Sequence, residues 1–143
     1  MTQTFDSKII FIKNLFADCA NAEAKYNKIM ELGKQGAAFD EEEKTDENLV
    51  PGCQSTMYLQ SWIQEGCIHF NAWSDALISA GLAQLLILAY SGQRPEVVLK
   101  KPPAFLDELN IPGSLTPNRA NGLFQIHLRM KQDALRFITD SAR

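Results

Sequence analysis

The fifteen residues from Ala76 to Tyr90 constrain the fold more than any other segment. They are apolar nearly all round, interrupted only by Ser79, Gly81 and Gln84. A helix without a polar face has to be enclosed by other elements. A bilayer span needs about 20 such residues, so the segment predicts the central buried helix of a soluble domain. Ser74 or Asp75 is the expected cap and Gly92 the stop. Gly81 inside the helix costs about 1 kcal/mol relative to alanine. That cost implies a close backbone approach, expected here against the preceding hairpin.

The hairpin follows from a change of period at Gln54. Met57, Leu59, Ser61 and Ile63 fall on one face, and Thr56, Tyr58, Gln60 and Trp62 on the other. Glu65-Gly66 marks a tight turn, after which Ile68, Phe70 and Ala72 alternate with Cys67, His69, Asn71 and Trp73. Two alternating runs around a glycine turn predict antiparallel strands. A short third strand is expected just before this region or after the central helix. Ile9, Ile12, Leu15, Phe16 and Cys19 recur at helical spacing and predict a first helix over 7–19. Asn21 caps a second helix that Gly33 would end. Short helical turns are expected at 95–100 and 103–109. Thr116-Pro117 opens a last helix that carries Leu123, Ile126, His127, Met130, Ala134, Phe137 and Ile138 toward residue 140. With 143 residues and no linker or repeat, the expectation is one α+β domain over 1–143, a small antiparallel sheet packed by helices.

Charge narrows the function. The net charge of −3 lacks the basic excess of a general nucleic-acid binder. Residues 40–47 hold six acids and one lysine, a local −5 that predicts a solvated loop, or a docking patch for a basic surface. Three cysteines do not make a disulfide scaffold, and the N-terminus shows no signal-peptide pattern, so a reducing, cytoplasmic setting is expected. Phosphate loops, dinucleotide fingerprints and nucleophile elbows are absent from the sequence.

Of the three thiols, Cys53 stands out. It sits in Val50-Pro-Gly-Cys-Gln-Ser55, where Pro51 and Gly52 turn the chain. No histidine or arginine lies within ten residues, and the nearest charges are acidic. A self-activated nucleophile needs a cation, a histidine or a helix N-terminus to lower its pKa. Cys53 therefore suits a thiol that waits for an electrophile, and the residues alone leave that reading open beside an incidental loop cysteine. Cys19 belongs to the first helix's apolar stripe and Cys67 to the second strand. Cys53, Cys67, His69 and Asp75 would form a metal or cluster site only if the fold converged them. His127, on the last helix's stripe, suits a partly buried structural histidine.

Four segments in order resemble the SufE family of sulfur-acceptor proteins. They are Cys-Ala-Asn…Lys-Tyr…Glu-Leu-Gly33, Asn48-Leu-Val-Pro-Gly-Cys-Gln-Ser-Thr-Met-Tyr-Leu59, Phe70-Asn-Ala-Trp-Ser-Asp-Ala-Leu-Ile-Ser-Ala-Gly-Leu82 and Leu115-Thr-Pro-Asn-Arg-Ala-Asn-Gly-Leu123. Tyr58 replaces a common tryptophan and Asn118 a common serine.

The resemblance implies a SufE/IscU-like fold and a carrier that activates a partner, rather than a stand-alone enzyme. Such a carrier takes persulfide sulfur from a pyridoxal-phosphate cysteine desulfurase, SufS-like or CsdA-like. It passes the sulfur to a SufBCD-like iron–sulfur scaffold. No resident cofactor or metal, no nucleic acid and no membrane is implied, and the chain would be a monomer or weak homodimer. By position, Cys53 would be the acceptor, expected to tuck toward the hairpin in the free protein. Gly52, Gln54 and Ser55 would support its loop. Ser74 and Asp75 would cap the neighbouring helix, and Arg119 would pair with a carboxylate or touch a partner. The competing reading is an iron–sulfur scaffold or metal-binding protein that uses Cys53, Cys67, His69 and Asp75.

Overall fold

Helix α3, Leu77–Tyr90, is the axis of the molecule, and eight of its residues are buried, including Leu82, Leu85, Leu86 and Tyr90. The protein is seen here as a computed structural model that describes residues 3–141. Around α3 lie α1 (Phe5–Leu15), α2 (Ala22–Gln35), the hairpin β1 (Met57–Gln64) and β2 (Cys67–Ser74), α4 (Pro95–Lys100), α5 (Ala104–Glu108) and α6 (Pro117–Ser141). Met57, Leu59, Ile68 and Phe70 from the hairpin join Ile12, Ile29, Leu123, Ile126 and Met130 in one apolar core. This is a single small α+β domain. None of its described helices is long and apolar enough to cross a membrane.

The hairpin register pairs Met57 with Ser74 at one end and Gln64 with Cys67 at the other. Glu65 and Gly66 have φ of 55° and 78°, the two left-handed residues of a type I′ turn. The expected third strand is reduced to two isolated bridges. Leu49 pairs with Tyr58 outside β1, and Gln93 pairs with Ile68 outside β2. These are the two places where periodicity allowed a strand, but Pro51 on one side and Pro95 on the other limit the pairing to single residues.

The first two helices have bounds that differ from expectation. Helix α1 spans Phe5–Leu15 rather than 7–19, because the Thr4 hydroxyl caps its start by accepting from Ser7 N at 3.1 Å. Cys19 therefore lies past the helix end, still packed against the core. Helix α2 does start after Asn21, whose Oδ1 accepts from Ala24 N at 2.9 Å. It passes straight through Gly33, which is a packing glycine and not a stop. A Cβ there would collide with the Leu77 carbonyl, and a Cβ on Gly81 would collide with the Ile29 carbonyl. The close approach that Gly81 implied is thus to α2, not to the hairpin.

The acidic stretch forms two short 3-10 turns, Glu41–Glu43 and Asp46–Asn48. Lys44 pairs with Glu41 at 2.7 Å and sits 3.8 Å over the Trp73 ring. At the far end of the stretch, Arg129 of α6 donates to the carbonyls of Glu47 and Leu49. Its Nε also donates to buried Asp133 at 3.1 Å, which in turn accepts from Ser61 Oγ at 2.7 Å. The loop therefore reaches Val50 from a fixed direction.

Candidate functional site

Val50 is buried and donates its N–H to Met57 O at 2.8 Å, so the chain is anchored just before it turns. Pro51 and Gly52 make the turn. Gly52 has a φ of 81°, and a Cβ there would lie 3.1 Å from Gln125 of α6. Only glycine takes that conformation without strain. The Gly52 carbonyl accepts from Asn121 Nδ2 at 3.2 Å.

Cys53 follows, half-buried, with Sγ 4.0 Å from the Gly122 carbonyl. The thiol thus tucks against α6 and the start of α3, not toward the hairpin as the sequence suggested. It lines a cavity of about 260 Å³ together with Ser79, Leu82, Asn118, Arg119 and Ile126. Burial pushes the Cys53 thiol above its ordinary pKa. The resting site therefore holds a protonated thiol, in keeping with a sequence that places no cation beside it.

Beyond Cys53, a polar clamp fixes the other end of the loop. Ser55 Oγ bonds Ser79 Oγ at 2.7 Å, and Ser74 Oγ donates to Ser55 Oγ at 3.4 Å. Asp75 Oδ1 accepts from Thr56 N at 3.1 Å. Ser74 and Asp75 were expected to cap α3, yet its N-cap is Ala76 with no side-chain bond. Ser74 Oγ does accept from Ala76 N at 3.2 Å, a turn just ahead of the helix. The two residues instead tie the start of β1 to the start of α3. Gln54 is exposed at the cavity mouth. Arg119 also reaches the cavity, but its guanidinium sits over the Tyr26 ring at 5.2 Å, not against a carboxylate among the described residues.

Asn121, Gly122 and Gln125 were not singled out by sequence reasoning, and Asn118 only as a departure from the family's common serine. They recur at helical spacing beside the apolar stripe of α6, a pattern that also describes any solvated flank. Ser79 had a clearer signal as one of three breaks in an apolar run.

Cys67 and His69 lie near the turn end of the hairpin, away from Cys53 and Asp75. Seven residue steps at ~3.3 Å separate the two ends, roughly 23 Å. Among the described residues no three of histidine, cysteine, aspartate and glutamate converge as metal ligands. The set Cys53, Cys67, His69 and Asp75 is therefore not assembled by this fold.

The family model SufE, described as "Fe-S metabolism associated domain", matches residues 11–134. The chain belongs to the SufE family. It is 35% identical over 138 residues to the cysteine desulfuration protein SufE of Wigglesworthia glossinidia brevipalpis, covering 91% of each chain. An uncharacterized SufE-like protein of Synechocystis is 30% identical over 94% of this chain and 84% of its own. The chloroplastic/mitochondrial SufE-like protein 1 of Arabidopsis thaliana is 34% identical over 129 residues, 90% of this chain but only 35% of that longer relative. The solution structure of a hypothetical protein from Thermus thermophilus has the same fold, with a TM-score of 0.73 at 20% identity, covering 94% of this chain and 96% of that one. Residues 11–134 contain the Cys53 loop, its clamp and the α6 residues that hold it.

Proposed function

We propose that this SufE-family chain is a sulfur acceptor that takes persulfide sulfur from a cysteine desulfurase onto Cys53. The observation that supports it is the placing of Cys53. The cysteine of the Gly-Cys-Gln-Ser segment lies on a glycine-hinged loop at a cavity between α3 and α6, protonated and without a resident base.

The exchange needs no redox partner. The Cys53 thiolate attacks the outer sulfur of the desulfurase persulfide. A new S–S bond forms on Cys53, the desulfurase S–S bond breaks, and the desulfurase cysteine leaves as thiolate. The Cys53 proton passes to that leaving thiolate or to solvent. Because burial raises the thiol's pKa, the attacking form arises when docking draws the loop into the partner's field. Removing the sulfur frees the desulfurase for another turnover, which accounts for activation. The Cys53 persulfide then hands its outer sulfur to a thiolate of an iron–sulfur assembly scaffold by the same exchange. In a reducing, cytoplasmic setting the cavity shelters the thiol between encounters.

Arg119, Asn118 and Gln54 surround the thiol and are the groups that meet the incoming persulfide. The test is intact mass without reductant after incubation with a desulfurase and cysteine. The expected result is a gain of one sulfur atom that disappears in Cys53→Ser, along with a faster desulfurase turnover that the variant does not give. An unchanged mass with a desulfurase proven to form its own persulfide would overturn the reading.

A further inference from the structure

The turn end of the hairpin carries a second cavity, of about 310 Å³, lined by Gln3, Lys8, Gln64, Cys67, His69 and Gly92. Three chemically active side chains meet there from two elements. Gly92 forms its floor, with φ of 87°. A Cβ on it would lie 3.5 Å from Lys8 Nζ and 4.0 Å from His69 Cε1. Lys8 is half-buried and donates to the Ser91 carbonyl, which holds the ammonium in place. Burial lowers its pKa, and nearby Cys67 partly opposes that shift. The Trp62 ring stacks on His69 at 5.8 Å. Glu65 is at the rim, exposed.

This setting differs from those of the other thiols. Cys19 and Cys53 pack against the apolar core, whereas Cys67 shares a polar cavity with a fixed cation. A thiol exchanges with disulfides as its thiolate, and an ammonium in the same cavity attracts an anionic reagent. The same cation suits a reagent that carries carboxylates. Cys53 precedes the opposite end of strands that run roughly 23 Å, and it lines a different cavity from Cys67.

We infer that Cys67, Lys8 and His69 form a second thiol site, which takes small anionic disulfides of the oxidised-glutathione class by exchange. The Cys67 thiolate attacks one sulfur of the reagent, and a mixed disulfide forms. The reagent's S–S bond breaks and one half leaves as thiolate, taking up the proton lost by Cys67. The reagent is the oxidant, and no other is needed.

The experiment uses the full chain carrying Cys53→Ser, so its outcome is independent of the sulfur-acceptor reading. The protein is treated with oxidised glutathione or with cystamine, a cationic disulfide, and followed by intact mass and peptide mapping. Expected is one glutathione adduct, on Cys67. Lys8→Met should slow oxidised glutathione about fivefold, with cystamine unslowed. Salt at 1 M should erase the same preference in the Lys8-containing protein, a readout that holds even if Lys8→Met folds poorly. Lys8→Arg should retain the preference. Adducts spread equally over Cys19 and Cys67, or a ratio of the two reagents that neither Lys8→Met nor salt changes, would overturn the assignment.

Discussion

The α2–α3 contact and the Cys53 loop both depend on glycine, for opposite reasons. Gly33 and Gly81 are needed because two backbones meet with no room for a side chain. Gly52 is needed because the chain turns through a left-handed conformation and must be free to do so. The first contact lies between long helices within the buried core. The second segment spans Pro51 to Gln54 and is held by one amide from Asn121, one thiol contact and the serine clamp beyond it. Rigidity in the first region positions a site whose working part, in the second, is held lightly. Substitutions in the two regions should therefore separate stability from thiol reactivity.

The largest effect is expected from Gly81→Val. The branched side chain would meet the Ile29 backbone, which cannot move without separating α2 from α3. Overpacking of this kind typically costs 1–3 kcal/mol, and a collision with backbone should exceed about 3 kcal/mol. Urea unfolding followed by circular dichroism should show a large fall in midpoint or loss of the cooperative transition. A midpoint within error of the parent would break the comparison at its rigid end.

Gly52→Ala comes next. A residue with a Cβ at φ 81° and against Gln125 should lose about 1–2 kcal/mol. The same change should displace the loop, so Cys53 should react with iodoacetamide several-fold faster and take sulfur from a desulfurase more slowly. A stable variant with ordinary thiol reactivity would mean that the hinge is not at Gly52.

These two glycines also mark the limits of the sequence. The buried axis, the hairpin with its turn and the start of the last helix were legible because each has its own period or punctuation. Gly81 signalled a close approach, but its partner was hidden, since a glycine does not say which element it faces. Gly33 looked like a helix stop because the pattern weakens after Leu32, while the fact that keeps the helix going is a contact with Leu77. At the site, Cys53 and its flanking turn were visible in the chain. Asn121 and Gln125 were not, because an amide on a helix flank has the same pattern whether it meets water or a loop 69 residues away. Ser74 and Asp75 were placed correctly near α3 yet misjudged as its caps, because local spacing cannot show that Thr56 and Ser55 return beside them.

Acid should weaken the frame where α6 packs on α3. His127 stacks on Tyr90 at 5.6 Å, and its buried Nε2 has no hydrogen-bond partner among the described residues. Burial and the neighbouring Lys131 push its pKa down to about 4 from the ordinary 6.5. The folded chain thus binds a proton less readily than the unfolded one. The stability associated with neutral His127 is complete above pH 6.5 and is lost as pH falls toward about 4. The loss should be about 1–2 kcal/mol once solvent screening at this half-buried ring is allowed for. Urea midpoints between pH 7 and pH 4.5 should fall more steeply in the parent than in His127→Phe. Parallel slopes would place the acid sensitivity elsewhere.

The smallest stability effect and the sharpest test of the loop come from Asn121→Ala. Asn121 donates to the Gly52 carbonyl from an exposed position on α6, so its loss should cost under about 1 kcal/mol. The carbonyl it leaves can turn to water, and the core beneath is untouched. That bond is nonetheless one of few that hold the turn before Cys53 in the cavity. Without it the loop should open more often, and iodoacetamide should modify Cys53 about two- to fivefold faster at pH 7, with the urea midpoint nearly unchanged. The pH at which modification reaches half its maximum should also fall toward that of the unfolded chain. The raised pKa comes from burial, and an opened loop returns the thiol to water. Faster modification with an unshifted pH profile would mean that Asn121 shields the thiol only sterically. No change in either would mean that the loop is held by its serine clamp alone, and the division between a rigid frame and a lightly held thiol would then begin at Ser55 rather than at Gly52.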